Sequence, residues 1–213
     1  MARTLVIETA TAACSVALID AGAVVASAHK VVGRGHAERL LPMIAALPDG
    51  GKADAILVDC GPGSFTGIRV GIAAARGLGL GWGVPVQGFS SMPLVAAAAY
   101  AADSAIAGPL AVLLEGGHGE VFMQTFHGPP VKLHGPLESL SPADARHKLG
   151  GMQAVGDGLR WLTFDDPRSA PAGALPNAID LVLLPTDLTG LPPRPIYGRA
   201  PDAKPMASEK ASA

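Results

Sequence analysis

The feature that most constrains this chain is a seven-residue loop, Gly61-Pro62-Gly63-Ser64-Phe65-Thr66-Gly67, set between an apolar run and a long apolar helical stretch. Ala55 to Cys60 reads as a buried strand, and Thr66 to Trp82 as a helix. A sharp strand-to-helix turn leaves the first helical N–H groups without partners, and the helix dipole adds partial positive charge there. One reading is an anion or nucleotide-phosphate cradle built from Gly61, Gly63, Ser64, Thr66 and Gly67, with Arg69 one turn further on. The other is a capped turn whose glycines only allow tight packing. No Gly-Lys-Ser/Thr follows, so this is not a Walker loop.

The same helix carries small residues at four-residue spacing: Gly67, Gly71, Ala75 and Gly79. A small-residue face lets another element approach closely. That element is either the chain's own sheet or a partner helix.

Around this unit the pattern is α/β. Thr4–Ile7, Cys14–Ile19 and Ala23–Val32 read as three strands of an antiparallel meander. His36–Leu47 has helical apolar spacing with Pro42 inside it, and Pro48-Asp49-Gly50-Gly51 ends it. Pro85–Gly88 is a short strand, and Ser90-Ser91-Met92-Pro93 opens a helix to about Ala102. The first half is therefore β-β-β-α-β-α-β-α. Leu110–Leu114 and Glu120–Phe126 make a second strand pair, Ser141-Pro142-Ala143-Asp144 caps a short helix, and Ala154–Gly156 adds a strand. Leu181–Leu184 fits a short helix or strand. The expected division is residues 1–103, a smaller unit at 104–200, and a disordered tail at 201–213.

Net charge is −2, with no basic surplus for binding nucleic acid alone. Cys14 and Cys60 sit in apolar runs, as expected of buried thiols in a reducing compartment. The N-terminus lacks a secretory apolar core, and Ile68–Val86 carries two arginines and five glycines, so neither reads as a membrane segment.

These residues resemble the TsaB family of tRNA threonylcarbamoyladenosine proteins. The likeness runs from Ile7-Glu8-Thr9 and Cys14-Ser15-Val16-Ala17 through Gly35-His36-Ala37-Glu38 and Leu40-Leu41-Pro42 to the hallmark Gly61–Gly71. It continues with Gly88-Phe89-Ser90-Ser91, Glu120-Val121-Phe122, Val155-Gly156-Asp157-Gly158 and Pro195–Ala203. Two departures stand out: Glu8 where the family has aspartate, and Leu114-Glu115-Gly116-Gly117-His118 in place of Asp-Ala-Arg-Arg/Lys.

The resemblance implies an actin-like ATPase (ASKHA, ribonuclease H-like) fold of two related subdomains with mixed sheets and helices, in a cytoplasmic protein. It implies a partner subunit of the TsaD-type catalytic paralogue, with a TsaE-type ATPase as third member, a homodimer when alone, and tRNA met only through the complex. The contact would lie on the first two helices: His36, Glu38 and Leu41 on one, and Gly67, Gly71, Ala75 and Gly79 on the other. No catalytic residue, cofactor or metal is expected. The paralogue's paired histidine ligands match Ser91 and Val95 here, and neither is an imidazole. The six histidines contain no pair at three- or four-residue spacing and read as surface or capping residues. Thr9–Ala13 lacks the glycine by which an ASKHA phosphotransferase admits a phosphate. The competing reading is an independent nucleotide-binding or ATP-hydrolysing enzyme that uses the Gly61–Gly67 loop.

Overall fold

A computed structural model describes residues 3–164 and 173–198, so the expected tail at 201–213 lies outside the described residues. β1 (Thr4–Glu8), β2 (Ala13–Asp20) and β3 (Ala23–Val31) form the antiparallel meander. After α1 (His36–Ala45), β4 (Ala55–Asp59) pairs parallel with β1. After α2 (Phe65–Trp82), β5 (Val86–Phe89) pairs parallel with β4. The strand order is β3-β2-β1-β4-β5.

α3 (Ser91–Ala102) carries the chain to a second sheet, where β6 (Leu110–Gly117) and β7 (Glu120–His127) form a hairpin. β8 (Lys132–Leu133) and β9 (Glu138–Leu140) both pair with β7. α4 (Pro142–Leu149) follows, and β10 (Gln153–Val155) returns parallel to β6. Residues 177–197 then come back to the first sheet. Asn177 Oδ1 accepts from the Ser15 hydroxyl, Leu191 bridges Gly88, and the Ile196 N–H donates to the Cys60 carbonyl.

Strand periodicity builds the layers. In β1, Leu5 and Ile7 point one way and Val6 the other; in β2, Cys14, Val16 and Leu18 oppose Ala17 and Ile19. One face packs against Leu40 and Ile44 of α1 and Ile68, Ile72 and Ala75 of α2. The other packs against α3, which also covers Leu110, Val112, Leu114 and Phe126 of the second sheet. α4 buries Ala145 and Leu149 on the far face of that sheet, against Leu113, Val121 and Met123. Both faces of β1, β2 and β6 are thus covered, which is why they read as continuous apolar runs. Phe126 is fully buried at the centre, and the Tyr100 hydroxyl donates to its carbonyl (3.1 Å). Phe126→Ala should destabilise the protein by about 3–5 kcal/mol in denaturant titration.

Several local expectations are refined. Ser141 caps α4 by accepting from the Asp144 N–H (3.1 Å), as its sequence indicates. Ser90 precedes α3 but makes no such cap; its hydroxyl donates instead to the Gly61 carbonyl (2.8 Å). Ala178–Leu183 is a 3-10 helix. β8 and β9 carry too few residues for a periodic signal.

Candidate functional site

The glycine loop lies directly on the β1–β2 hairpin. Ser64 N–H donates to the Ala10 carbonyl at 2.6 Å, and the Thr9 hydroxyl donates to the Gly67 carbonyl at 2.8 Å. Gly61 N–H donates to Asp59 Oδ1 (2.6 Å), while Gly67 N–H donates to the capping Ser64 hydroxyl (3.2 Å). A Cβ on Gly63 would stand 2.0 Å from the Ala10 carbonyl oxygen, and one on Gly67 2.1 Å from that of Thr9. The cradle reading is corrected here. The glycines serve close approach between two backbones, and the N–H groups of Gly61, Ser64 and Gly67 are already bonded within the chain. No phosphate fits between hairpin and loop.

Arg69 is not aimed into this loop either. Its guanidinium lies 3.5 Å over the exposed Phe65 ring and donates to the Tyr197 hydroxyl (3.0 Å). Thr66 is exposed beside them.

The small-residue row expected to face a partner is also corrected. Gly67, Gly71, Ala75 and Gly79 are buried against this chain's own sheet. A Cβ on Gly71 would meet Thr9 Oγ1 at 2.4 Å, and one on Gly79 would meet Val86 Cγ2 at 2.4 Å. His36 is likewise internal: it is 3 % exposed, and its Nε2 donates to the Ala13 carbonyl at 2.8 Å. Glu38 and Leu41 do face outward.

A second row of small residues occupies the outer face of α2. Ala73, Gly77 and Gly81 are exposed, and a Cβ added to Gly77 or Gly81 would meet nothing within 4 Å. Leu80 beside them is 87 % exposed, and Leu41 on the neighbouring α1 is 53 % exposed. The sequence contains this row at the same four-residue spacing. Only the rotation of α2 against the sheet decides which row looks outward.

At the carboxyl ends of β1 and β4 the first sheet holds two acids. The register that sets Ile7 beside Val58 sets Glu8 beside Asp59 at the next position. Both are fully buried on the face turned to α3. Asp59 Oδ1 accepts from the Ser91 hydroxyl (2.9 Å), and Glu8 Oε1 accepts from the Ala10 N–H (2.8 Å). Burial raises Glu8 well above the ordinary carboxylate range, and the Asp59 charge adds to this. Burial pushes Asp59 up to about 7, against hydrogen bonds from Gly61 and Ser91. Val95, the second position matched to a ligand histidine, is core. Burial raises both thiols, Cys14 and Cys60, to about 11, so neither is a ready nucleophile.

Leu114–His118 forms the β6–β7 hairpin end; Glu115 pairs with Arg160, and its N–H donates to Asp157 Oδ1 (3.1 Å). The His127 and His134 rings meet edge to face with centroids 4.1 Å apart, a cross-strand contact that linear spacing does not reveal. Among the described residues, no group of three or more His, Cys, Asp and Glu side chains could hold a metal ion. No described helix is long and apolar enough to cross a membrane.

These two sheets with their interleaved helices are an actin-like ATPase (ASKHA) fold. A family model described as TsaD, tRNA N6-adenosine threonylcarbamoyltransferase, matches residues 23–129. YeaZ from Pseudomonas aeruginosa superposes with a TM-score of 0.75 at 29% identity, over 92% of this chain and 100% of that one. An uncharacterized protein of Mycobacterium tuberculosis is 31% identical over 95% of this chain and 94% of its own length. The Escherichia coli tRNA threonylcarbamoyladenosine biosynthesis protein TsaB is 42% identical over 109 residues, 48% of this chain and 46% of that protein. The chain belongs to the TsaB family.

Proposed function

We propose that this chain works in tRNA threonylcarbamoyladenosine biosynthesis as a non-catalytic subunit that docks on and activates a TsaD-type catalytic chain. Family membership supports the pathway. The outer row on α2 supports docking. Glycine inside a helix costs roughly 1 kcal/mol against alanine, and Gly77 and Gly81 gain no close contact within the fold in return. A helix packed from outside would use the space that the missing side chains leave. Leu80 and Leu41 supply the apolar area flanking that row.

In this reading the interface moves from the inner row to Ala73, Gly77, Leu80 and Gly81 of α2, with Glu38 and Leu41 of α1. The same surface pairs two copies of the chain when the partner is absent. A TsaE-type ATPase joins the assembled pair, and tRNA is held mainly by the partners, consistent with a net charge of −2. The work is cytoplasmic, where tRNA is modified. An independent nucleotide-dependent enzyme is disfavoured by the closed contact between Gly63 and Ala10.

Co-expression with a TsaD-type chain tests the reading: a stable complex is expected, and deletion should remove the modified nucleoside from tRNA. Absence of a complex together with unchanged tRNA would overturn it.

A further inference from the structure

The interior between the first sheet and α3 contains an electrostatic arrangement that the docking role does not use. Glu8 and Asp59 are neighbours across β1 and β4, and neither has any exposed surface. Each places one oxygen on a backbone N–H: Glu8 Oε1 on Ala10, and Asp59 Oδ1 on Gly61. The remaining oxygens, Glu8 Oε2 and Asp59 Oδ2, are buried without a hydrogen-bond partner among the described residues. Two such acceptors cannot satisfy each other while both acids are ionised, because an ionised carboxylate has no hydrogen to give. Two opposed buried anions would also lose their hydration with no counter-charge in return.

Among the described residues, the surrounding groups supply no cation to the pair. Asp157, at the start of the turn after β10, is itself acidic and adds repulsion at Glu8. Asp180 lies in the 178–183 turn packed on β1 and β2. Cys14 of β2 and Cys60 at the end of β4 are thiols that burial keeps protonated. α3 contributes the neutral Ser91, whose hydroxyl donates to Asp59. Two described arginines, Arg160 and Arg76, are engaged elsewhere. Arg160 pairs with Glu115, and Arg76 donates to the Pro193 carbonyl (2.7 Å).

We propose that Glu8 and Asp59 hold a single proton between them, as a proton-bridged carboxyl pair at the carboxyl ends of β1 and β4. One hydrogen satisfies both orphan oxygens: the protonated acid donates and the other accepts. The pair then carries one negative charge, held by the Ala10, Gly61 and Ser91 donors.

The pH consequence has a definite sign. Both acids bind protons more tightly folded than unfolded. Their contribution to stability is fully present below the unfolded carboxylate range, near pH 4, and is lost as pH rises toward the folded values, about 7 for Asp59. Within that window each retained proton lowers the folding constant roughly tenfold per pH unit.

Thermal unfolding of the full chain between pH 5 and 8.5, with and without EDTA or magnesium, tests the proposal. Relative to wild type, Glu8→Gln should lose about one proton's worth of this pH dependence, because its amide supplies a permanent hydrogen to Asp59. EDTA and magnesium should leave the wild-type midpoint unchanged. An undiminished slope in the variant overturns the proposal, as does a magnesium-dependent midpoint reversed by EDTA, which would put a cation where the proton is assigned. Should Glu8→Gln fail to fold, infrared spectroscopy of the wild type decides. A protonated-carboxyl C=O band present at pH 7 and titrating away on alkalinisation supports the pair, and its absence at pH 7 contradicts it.

Discussion

Gly71→Arg is expected to unfold the protein. The Cα of Gly71 packs against the end of β1, and even a methyl group there would stand 2.4 Å from Thr9 Oγ1 and 3.6 Å from Ile7 Cγ2. Thr9 cannot step aside freely, because its hydroxyl donates to the Gly67 carbonyl and so ties β1 to the first turn of α2. An arginine would force α2 off the sheet or bury an unpaired guanidinium. Either outcome costs several kcal/mol, against a total stability of roughly 5–15 kcal/mol. Circular dichroism should show loss of the cooperative transition. Gly67→Ala should follow the same course more mildly, since its Cβ would press on the Thr9 backbone carbonyl. A native-like melting curve for Gly71→Arg would mean that α2 is rotated from its placement here.

Gly77→Arg, six residues along the same helix, is expected to do the opposite. Its Cβ would meet nothing within 4 Å, so the side chain extends into solvent and the fold is retained. Stability should change little or rise by up to about 1 kcal/mol, because glycine is the poorest helix former after proline. Binding to a TsaD-type chain should fall by at least a hundredfold, since a charged side chain would occupy the closest approach between helices. Leu80→Asp should act in the same direction. The two arginine substitutions thus separate the inner face of α2 from the outer face with one chemical change.

Much of the architecture was legible because the signals were local. The β-β-β-α-β-α-β-α order, the meander and the Ser141 cap follow from short apolar runs, turn residues and a hydroxyl before proline. The loop at Gly61–Gly67 was located correctly, but the sequence left open a phosphate cradle or a tightly packed capped turn, and the contacts favour the turn. A glycine that admits an anion and a glycine that admits a neighbouring carbonyl look alike in sequence, and only Ala10 and Thr9, more than fifty residues away, tell them apart. α2 posed a related problem. Gly67, Gly71, Ala75 and Gly79 form one row and Ala73, Gly77 and Gly81 another, and an apolar helix with small residues on two faces gives no sequence clue to its rotation. His36 was read as a surface or capping histidine on the partner face, yet it is buried and hydrogen-bonded to Ala13, a partner set by tertiary packing. The Glu8–Asp59 pair depends on the β1–β4 register, which a lone acid at each strand end does not reveal.

Reconstitution of tRNA threonylcarbamoylation from purified TsaD-type and TsaE-type subunits tests most directly whether this chain acts by docking. Adding the wild-type chain should switch modification on, and Glu8→Gln with Asp59→Asn should do so equally well, while Gly77→Arg should not. A Glu8→Gln, Asp59→Asn variant that still forms the complex but abolishes turnover would contradict the account, because the chemistry would then reside in this chain's own buried acids.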